Sequence, residues 1–530
     1  QYKTFYQLLP RDLSDINFMN SVLYPEVIQQ NSLTISFNTE KEGSSVLEYG
    51  KTKSLELGQV DDQTLKKDHE LTISGLEPAT FYYVKAKSTD ASSNTIESGL
   101  FYFSTASESS GEIKAYFNRQ VDHNYSNGND AIFLNRSVDD TLVAYIDRAM
   151  ESIDFCIYNF NNQGLSANIS TALNNANSRG VTVRVIGDGS TANLGLNDLD
   201  GGISKLTSPT GSNYKIMHNK FLVIDAKSDN PNDPIVWTGS TNFTVGQVYD
   251  DPNNVIIIQD QALALAYTME FNEMWGSSGP SPVSINSKFG PFKTNNTPHY
   301  FNIGGNLVEL YFSPTDNVNY KIIDAIETTD ASIYFATFVF TRTEIAYPIK
   351  DQFDEGDYVG GIFGDISGSN DAAYSVLSPA ISDVIEYQGN DIFHHKYAII
   401  DHALAAYDID PIVITGSHNW SYSANTSNDE NTLFVHSGTL ASIYFQEWAQ
   451  RFQDEGGTVF LGQEEVANDT KNHFFSILNN NLNMQVQVEQ QTSAMVQVYS
   501  LNGSLVYEKQ IQLRQGIQNR QFNLPDLDQQ

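Results

Sequence analysis

The feature of this chain that most restricts its possible folds is a motif that occurs twice. The pattern is H-x-K-x4-D, an apolar run, and then T-G-S-x-N followed by an aromatic residue; it spans residues 218–243 and again 394–420. A single copy could arise by chance, but two copies with the same trailing T-G-S-x-N indicate a duplicated unit. Its reactive residues are His218, Lys220, Asp225, His394, Lys396 and Asp401.

Each copy is predicted to place its histidine and lysine on the same side of a strand. His218 and Lys220 are two residues apart and lead into an apolar, strand-like run, and residues i and i+2 of a strand point to one face. A carboxylate beside these two groups would repel a phosphate. We therefore interpret Asp225 and Asp401 as partners of backbone groups or of the neighbouring lobe, away from the phosphate.

The T-G-S-x-N elements supply candidate phosphate-binding residues. A glycine permits close approach of the backbone, and the neighbouring serine and asparagine provide neutral hydrogen-bond donors. Together with the two lysines, these donors would stabilise charge on a pentacoordinate phosphorus as an oxyanion hole does, so the prediction includes neither a metal nor a cofactor. The candidate phosphate-binding residues are Ser240, Asn242, Ser417 and Asn419.

The duplicated motif resembles the phospholipase D superfamily, whose phosphodiesterase site is built from two such motifs facing each other. The resemblance implies that one histidine attacks phosphorus and becomes a phosphohistidine, while the other protonates the leaving oxygen and then activates water. Family precedent favours His218 as the nucleophile and His394 as the acid. The catalytic set that the resemblance implies is His218, Lys220, His394, Lys396, Asp225, Asp401 and Glu430.

A carboxylate that binds the far ring nitrogen of a catalytic histidine would fix its tautomer and raise its basicity. The second copy offers Glu430 within N-D-E-N at 428–431, which resembles the N-x-E-N element of the family. The first copy has Asn253 at the equivalent position. Its histidine is therefore expected to be oriented differently, with Asp250 and Asp251 as candidates, and the sequence leaves the choice of nucleophile open.

Three further residues are expected to have structural roles. His395, between the motif histidine and lysine, should face away from the site. His418 occupies the variable position of the second T-G-S-x-N element, where substrate contact is the alternative to an ordinary loop histidine. Cys156 is the only cysteine, which excludes an intramolecular disulfide, and its strand-like setting predicts a small core residue.

With 530 residues, the chain is predicted to be multidomain. We expect an N-terminal β-sandwich at 17–106, a central duplicated α/β unit with lobes at 113–277 and 305–456, and a C-terminal β module at 457–530. Alternating helices and hydrophobic strands in the lobes indicate α/β layers. With one motif in each lobe, a single site at the lobe interface is the economical arrangement.

The two flanking regions carry resemblances of their own. The L-x-P-x-T-x-Y element at 76–82 resembles the corner of a fibronectin type III domain, which implies a buried Tyr82 in a β-sandwich and no chemistry. The hairpin V-x-V-Y-x-x-N-G-x-x-V at 496–506 resembles the C-terminal sorting domain of proteins exported by the bacterial type IX secretion pathway.

The sorting-domain resemblance implies a secreted or cell-surface protein and the secretion machinery as a partner. The closing Gly-x-Tyr strand of that domain is missing after Leu527, so we expect a trimmed or incomplete tail. The alternative is a small β module with an Asn-Gly turn.

The charge bears on the substrate. Asp and Glu number 64 against 30 Lys and Arg, a formal net charge of −34, whereas gripping long nucleic acid requires cations that neutralise phosphates. The G-S-x-N-W-S and N-x-E-N elements nevertheless resemble the small bacterial nuclease branch of the superfamily.

We predict a secreted phosphodiesterase that acts as an endonuclease on extracellular DNA or RNA. The alternatives are a phospholipase D that releases phospholipid headgroups and a non-catalytic surface protein that binds phosphate groups. No run of residues approaches a transmembrane span.

Overall fold

The computed structural model describes residues 16–19, 23–402 and 410–459, and the backbone of five strands between residues 473 and 523. The chain divides into two compact units, Gln1–Leu461 and Gly462–Gln530. The first unit contains an N-terminal sheet and two α/β lobes. Within the described ranges, no helix is long and apolar enough to cross a membrane.

The N-terminal region forms one hydrogen-bonded antiparallel sheet in which β2 pairs with β1, β3 and β4, and β4 also pairs with β5 and β6. Its strands are β1 (Tyr24–Ile28), β2 (Ser32–Gly50), β3 (Gly58–Ser74), β4 (Phe81–Thr89), β5 (Thr95–Glu97) and β6 (Phe101–Ser104). Tyr82 is buried, as predicted, and its hydroxyl accepts the backbone N–H of Glu77 at 2.9 Å. The β-sandwich and its fibronectin type III likeness stay predictions.

Lobe one is a mixed sheet of eight strands, ordered β11-β10-β9-β12-β13-β14-β7-β8. Its elements are β7 (Ile113–Phe117), β8 (Ile132–Phe133), α1 (Val138–Ile146), β9 (Ser152–Ile157), α2 (Ile169–Ser178), β10 (Thr182–Gly187), β11 (Ser204–Thr207), β12 (Lys220–Ile224), β13 (Ile235–Gly239), α3 (Val245–Tyr249), β14 (Asn254–Ile258) and α4 (Gln261–Trp275). Strands β9, β10 and β11 are parallel to one another, whereas β12, β13 and β14 pair antiparallel.

Lobe two repeats this order as β19-β18-β17-β20-β21-β22-β16-β15. Its elements are β15 (Tyr300–Ile303), β16 (Asn306–Ser313), α5 (Val318–Ile326), β17 (Ser332–Thr337), α6 (Thr343–Glu355), β18 (Tyr358–Phe363), α7 (Ala372–Leu377), β19 (Val384–Glu386), β20 (Lys396–Ile400), β21 (Ile412–Gly416), α8 (Tyr422–Thr426), β22 (Glu430–His436) and α9 (Gly438–Asp454). The two lobes therefore share one topology, and the motif strands β12 and β20 occupy the same central place in each sheet.

Each sheet buries its two faces in different cores because side chains alternate along a strand. On β12, Leu222 and Ile224 pack in the outer core of lobe one with α1 and α2, whereas Phe221 and Val223 pack in the core shared by both lobes. The shared core also contains Trp275 of α4 and many residues of α9. The shared apolar core thus fixes the two motif strands relative to each other.

The long helices α4 and α9 have clear start signals. The Asp260 carboxylate accepts the Leu263 N–H at 2.7 Å, and the Ser437 hydroxyl accepts the Leu440 N–H at 3.4 Å, both as N-caps. Helix α4 ends at Gly276, whose φ of 79° suits a glycine cap. Both helices are buried between the lobes, where each carries a glutamate close to a motif strand.

The second unit contains two groups of antiparallel strands, ordered β23-β24-β27 and β25-β26. Their bounds are β23 (His473–Leu478), β24 (Asn481–Val488), β25 (Thr492–Tyr499), β26 (Leu505–Leu513) and β27 (Gly516–Asn523). The predicted turn at Asn502-Gly503, between β25 and β26, lies outside the described residues. The sorting-domain assignment stays a prediction.

Candidate active site

The two motif histidines lie at equivalent places in the two lobes, each bound through its backbone to the opposite lobe. Strands β12 and β20 begin at the motif lysines, so each histidine precedes its strand. The His218 N–H donates to the Asp429 carbonyl at 2.9 Å, and the His394 N–H donates to the Pro252 carbonyl at 3.0 Å. Both histidines are therefore held at the lobe interface, where the duplication predicted a single site.

Each motif lysine turns back onto the backbone of its own histidine. The ammonium of Lys220 donates to the His218 carbonyl at 2.7 Å, and that of Lys396 donates to the His394 carbonyl at 2.7 Å. Each histidine lies two residues before its lysine, just ahead of the strand, and both contact the same aromatic ring. All four side chains are buried.

An aromatic ring that the sequence argument missed covers each histidine and lysine. The Tyr158 ring centroid lies 4.7 Å from that of His218 and 5.1 Å from the ammonium of the lobe-one lysine. The Phe338 ring centroid lies 5.4 Å from that of His394 and 5.3 Å from the ammonium of the lobe-two lysine. Each aromatic residue directly follows the strand that pairs with its motif strand, β9 in lobe one and β17 in lobe two.

Glu430 orients the histidine of the opposite lobe. Nδ1 of His218 lies 2.8 Å from Oε2 of Glu430, so the ring N–H donates to the carboxylate and Nε2 is left for chemistry. The same carboxylate accepts the Ser417 hydroxyl at 2.7 Å and the Asn428 amide at 3.1 Å. The expectation that Asp250 or Asp251 orients the first histidine is wrong.

Asn253 takes the equivalent place behind the second histidine. The ring N–H at Nδ1 of His394 donates to the Asn253 side-chain carbonyl at 2.9 Å, and that carbonyl also accepts the Ser240 hydroxyl at 2.8 Å. The lobes therefore use one geometry with two different acceptors. His218 is backed by a negative charge, whereas His394 is backed by a neutral amide.

The surroundings of the two histidines shift their pKa values to different degrees. Burial lowers the pKa of His218, although the Glu430 carboxylate raises it. Burial lowers the pKa of His394 well below its ordinary value, and the ammonium groups of Lys396 and Lys220 and the ring of His218 lower it further. Burial favours the protonated form of Glu430, but the His218 and lysine charges outweigh it and hold the pKa of this carboxyl at about 2.

The lysines are also affected by burial. Burial lowers the pKa of Lys220 to about 7, against the opposing influence of Glu430. Burial, and next the Lys220 charge, lower the pKa of Lys396 well below its ordinary value. A phosphate anion bound between these groups would favour their charged forms.

The hydroxyl groups of the two T-G-S-x-N serines are directed to the groups behind the histidines, and their role as donors to phosphate stays a prediction. The single hydroxyl hydrogen of Ser417 is given to Glu430, and that of Ser240 is given to Asn253. Each hydroxyl also accepts a backbone N–H of its own lobe. The serines therefore position the groups behind the histidines, because a hydroxyl has one hydrogen to donate.

The asparagines of the same elements remain candidate phosphate ligands. Asn242 donates to the Gln247 side-chain carbonyl at 3.4 Å. The side-chain oxygens of Asn242 and Asn419 are buried without a hydrogen-bond partner among the described residues. Their role in binding phosphate stays a prediction.

The motif aspartates bind backbone groups. This is the role that the charge argument predicted, and it differs from the catalytic role that the family resemblance implies. The Asp225 carboxylate accepts the N–H groups of residues 150–152, each at 2.8 Å. The Asp401 carboxylate accepts those of residues 330–332 at 2.8 to 3.1 Å. Each aspartate thus ties the far end of the motif strand to the start of the neighbouring strand.

One pair of interface residues was missed by sequence reasoning. Asn254 donates to the Thr415 hydroxyl at 2.8 Å, and Asn431 accepts the Thr238 hydroxyl at 2.7 Å. Each asparagine therefore crosses the interface to the threonine of the opposite T-G-S-x-N element. The signal was present, because the D-P-N-N and N-D-E-N elements both end in asparagine.

The two remaining histidines near the site are buried, and both ring nitrogens of each have partners. Nε2 of His395 lies 3.0 Å from the Glu447 carboxylate of α9, and its Nδ1 lies 3.3 Å from the side-chain carbonyl of Asn254. His418 contacts the Ser313 hydroxyl and the Asn319 side-chain carbonyl, both at 3.1 Å. Cys156 is buried, as predicted.

Comparison with known proteins agrees with the duplicated site. The family model described as "Cardiolipin synthase, PLD-like domain" matches residues 142–275 and 322–453, which together make up half of the chain. These two matches correspond to the two lobes, one histidine motif in each. The chain belongs to this phospholipase D-like family.

Curated relatives are similar over a single segment. A mitochondrial cardiolipin hydrolase from Danio rerio is 28% identical over 156 residues, which cover 29% of this chain and 63% of the relative. A phospholipase D from Rickettsia felis is 38% identical over 130 residues, which cover 23% of this chain and 56% of the relative. The chain thus spans less than two thirds of the length of either relative.

Solved structures are similar at low identity. A phosphatidylserine synthase from Haemophilus influenzae matches with a TM-score of 0.46 and 12% identity, over 66% of this chain and 87% of that one. The phospholipase D family member Nuc from Salmonella typhimurium matches with a TM-score of 0.24 and 23% identity, over 31% of this chain and 95% of that one.

Proposed function

We propose that this protein hydrolyses phosphodiester bonds in two steps, with His218 as the nucleophile and His394 as the acid and base. The observation that carries this assignment is the unequal backing of the two rings by Glu430 and Asn253. A phosphorylated imidazole gains positive charge, which an adjacent carboxylate stabilises and a neutral amide does not.

In the first step, Nε2 of His218 attacks phosphorus and forms an N–P bond while the P–O bond to the leaving group breaks. The proton on Nε2 of His394 passes to the leaving oxygen, so that the alcohol departs neutral. The ammonium groups of Lys220 and Lys396 balance the charge that develops on the phosphoryl oxygens. Glu430 holds the Nδ1 proton of the nucleophile throughout.

In the second step, water takes the place of the departed alcohol. His394, now neutral, removes a proton from the water, whose oxygen attacks phosphorus as the N–P bond to His218 breaks. The product is a phosphomonoester, and His394 ends the cycle protonated. Burial lowers the pKa of His394, and the negative charge of a bound phosphodiester would favour the protonated ring that the first step uses.

Phospholipid is the substrate class we favour, which reverses the order predicted from the sequence. Relatives named cardiolipin hydrolase and phospholipase D support it. The net charge of −34 also opposes the neutralisation of many phosphates that long nucleic acids require. A nuclease is the second candidate, favoured by the N-D-E-N and G-S-x-N-W-S elements. Non-catalytic phosphate binding is the third candidate.

The deciding experiment compares three substrates with one EDTA-treated preparation. Vesicles of phosphatidylcholine, vesicles containing cardiolipin and a short single-stranded oligonucleotide are assayed with the natural chain and with His218→Ala. Headgroup or phosphatidate release that the variant lacks would support the phospholipid proposal, and oligonucleotide cleavage would replace it with the nuclease. Loss of activity in EDTA that Mg²⁺ or Zn²⁺ restores would contradict the mechanism.

We also propose export by a type IX-like pathway, supported by the hairpin sequence at 496–506. The N-terminal region at 17–106, with its buried Tyr82, is proposed to be a spacer or binding module of the fibronectin type III kind. Expression in a host that has this secretion system, with and without residues 457–530, would test the export proposal. Equal extracellular amounts of both forms would contradict it.

A further inference from the structure

The segment between the lobes carries one lysine whose side chain is completely buried. Lys293 follows the turn at Gly290–Phe292 and precedes β15, and its side chain has 0% exposure. Burial of an ammonium is strongly unfavourable unless it is paired and hydrogen-bonded. The buried position of Lys293 therefore depends on the groups that contact its ammonium.

Lys293 joins three segments that come from both lobes. Its ammonium is paired with the Glu270 carboxylate of α4, lies 3.2 Å from Oδ1 of Asp429, and donates to the Ser313 carbonyl at 2.8 Å. Glu270 belongs to lobe one, whereas Asp429 and Ser313 belong to lobe two. The cation thus sits where a strand, a helix and the N-D-E-N element meet.

Asp429 connects this cation to the proposed nucleophile. Its backbone carbonyl accepts the His218 N–H at 2.9 Å, and its N–H donates to the Ile216 carbonyl at 3.1 Å. Its carboxylate also accepts the Gly290 N–H at 2.7 Å. The next residue is Glu430, whose carboxylate binds the ring of His218. Holding Asp429 in place therefore sets both the backbone and the ring of the nucleophile.

The other half of the site lacks this arrangement. The residue equivalent to Asp429 is Pro252, which offers only its carbonyl to the His394 N–H. The glutamate equivalent to Glu270 is Glu447, which lies 3.0 Å from Nε2 of His395 and 3.2 Å from Nε of Arg451, both in its own lobe. Lobe two therefore surrounds its buried glutamate with groups of its own, whereas among the described contacts the side of His218 uses a cation from the inter-lobe segment.

We infer that Lys293 is a positioning residue that acts through Asp429 to hold Glu430 against His218, an inference that rests on the proposed function. Glu430 and Asn253 already distinguish the nucleophilic half from the acid–base half. The inter-lobe segment adds a second difference, because Lys293 contacts Asp429, the neighbour of Glu430. A single chain gains this asymmetry from its connection, because two identical subunits would carry the same contacts on both sides.

The first test compares Lys293→Met with Arg451→Met in the full chain. Each variant removes a cation beside a buried glutamate, so both should lower the melting temperature. Lys293→Met should also lower kcat by about 10- to 100-fold, as for groups that orient a reacting residue, with KM nearly unchanged, and Lys293→Arg should restore part of the loss. Arg451→Met should keep the natural kcat in its folded fraction. Equal losses of kcat in the two methionine variants would overturn the inference.

Asp429→Asn provides a second test in case Lys293→Met fails to fold. This isosteric change weakens the contact with the ammonium but keeps the cation. Since Glu430 raises the pKa of His218, displacing it should lower that pKa and move the acidic limb of kcat/KM to lower pH. If Asp429→Asn has the same kcat as the unsubstituted chain and the same acidic limb in the pH profile of kcat/KM, the inference is overturned.

An NMR titration separates this inference from the proposed function. The ring signals of His218, identified with His218→Ala among the 10 histidines, should titrate at lower pH in Asp429→Asn than in the natural chain. This readout needs no turnover. Absence of activity on every substrate together with this shift would reject the proposed function alone, and an unchanged titration would reject the role of Lys293.

Discussion

Nδ1 of His218 in lobe one lies 2.8 Å from Oε2 of Glu430 in lobe two. The carboxylate that a motif search assigns to the second copy therefore serves the histidine of the first copy. The reciprocal contact, between Asn253 of lobe one and His394 of lobe two, spans 2.9 Å. Each half of the site is thus built from both lobes, so neither lobe alone contains a complete His–acceptor pair.

The contact with Glu430 predicts the effect of removing its charge. A glutamine can donate to Nδ1 and favour the tautomer with hydrogen on Nε2, which cannot attack phosphorus. Glu430→Gln should lower kcat by about 10²- to 10⁴-fold, as measured by steady-state turnover. Glu327→Gln, a change at an exposed residue of lobe two, is the control and should have no effect. Natural kcat in Glu430→Gln would contradict the role of the carboxylate.

The neutral amide behind His394 predicts a pH shift. Asn253→Asp would place a negative charge beside the ring and raise the low pKa of His394. Since His394 must be protonated to act as an acid, kcat/KM falls as pH rises through that pKa, and the alkaline limb should move to higher pH. The carboxylate would also face the Gln247 carbonyl, so thermal stability should fall. Asn129→Asp at an exposed site is the control, and an unshifted alkaline limb would count against His394 as the acid.

The two histidines should differ in a trapping experiment. With a p-nitrophenyl phosphodiester, whose leaving group departs without a proton, His394→Ala should still form a phosphohistidine, which then persists because no base activates water. His218→Ala should form none. The measurement is acid-labile, alkali-stable phosphate on the denatured protein, detected by mass spectrometry. Labelling of His218→Ala at another histidine would reverse the assignment.

The Asp225 contacts predict a change in stability with little change in chemistry. Asp225→Asn replaces a charged carboxylate that accepts three backbone N–H groups. Each hydrogen bond to a charged group contributes roughly 1.5 to 3 kcal/mol to stability, and the amide oxygen of asparagine keeps part of this contribution. The free energy of unfolding should fall by about 1 to 3 kcal/mol in denaturant titrations. The kcat of the folded protein should remain near that of the natural chain. A loss of kcat as large as that of His218→Ala would show that Asp225 belongs to the catalytic set after all.

Much of the lobe structure was predictable from the sequence. The helical periodicity at 140–150, the strand expected at 153–158 and the helix expected near 169–177 match α1 (Val138–Ile146), β9 (Ser152–Ile157) and α2 (Ile169–Ser178). Helices α4 and α9 were not predicted. Helix α4 lies between the lobes and is apolar on most faces, so it lacks the one-sided pattern by which a surface helix is recognised. Helix α9 does carry its apolar residues at helical spacing, so its signal was present in the sequence and was missed.

The candidate site was predictable in its residues but only partly in its contacts. The histidines, the lysines and Glu430 follow from the repeated motif. The contacts of the two serine hydroxyls with Glu430 and Asn253 were not predicted, because they join parts of the fold that a local motif does not relate. Lys293 carries no motif and became visible only through its buried contacts.

The sequence by itself determined that two equivalent halves would each contribute a histidine and a lysine, because the repeat is local and written in adjacent residues. Only the tertiary structure decided that Glu430 binds His218, that Asn253 binds His394, and that Lys293 supports one half alone. These contacts join residues far apart in the chain, and they form because the shared apolar core around α4 and α9 fixes the two sheets relative to each other. A local pattern specifies which groups are present, whereas the packing of the lobes specifies which of them meet.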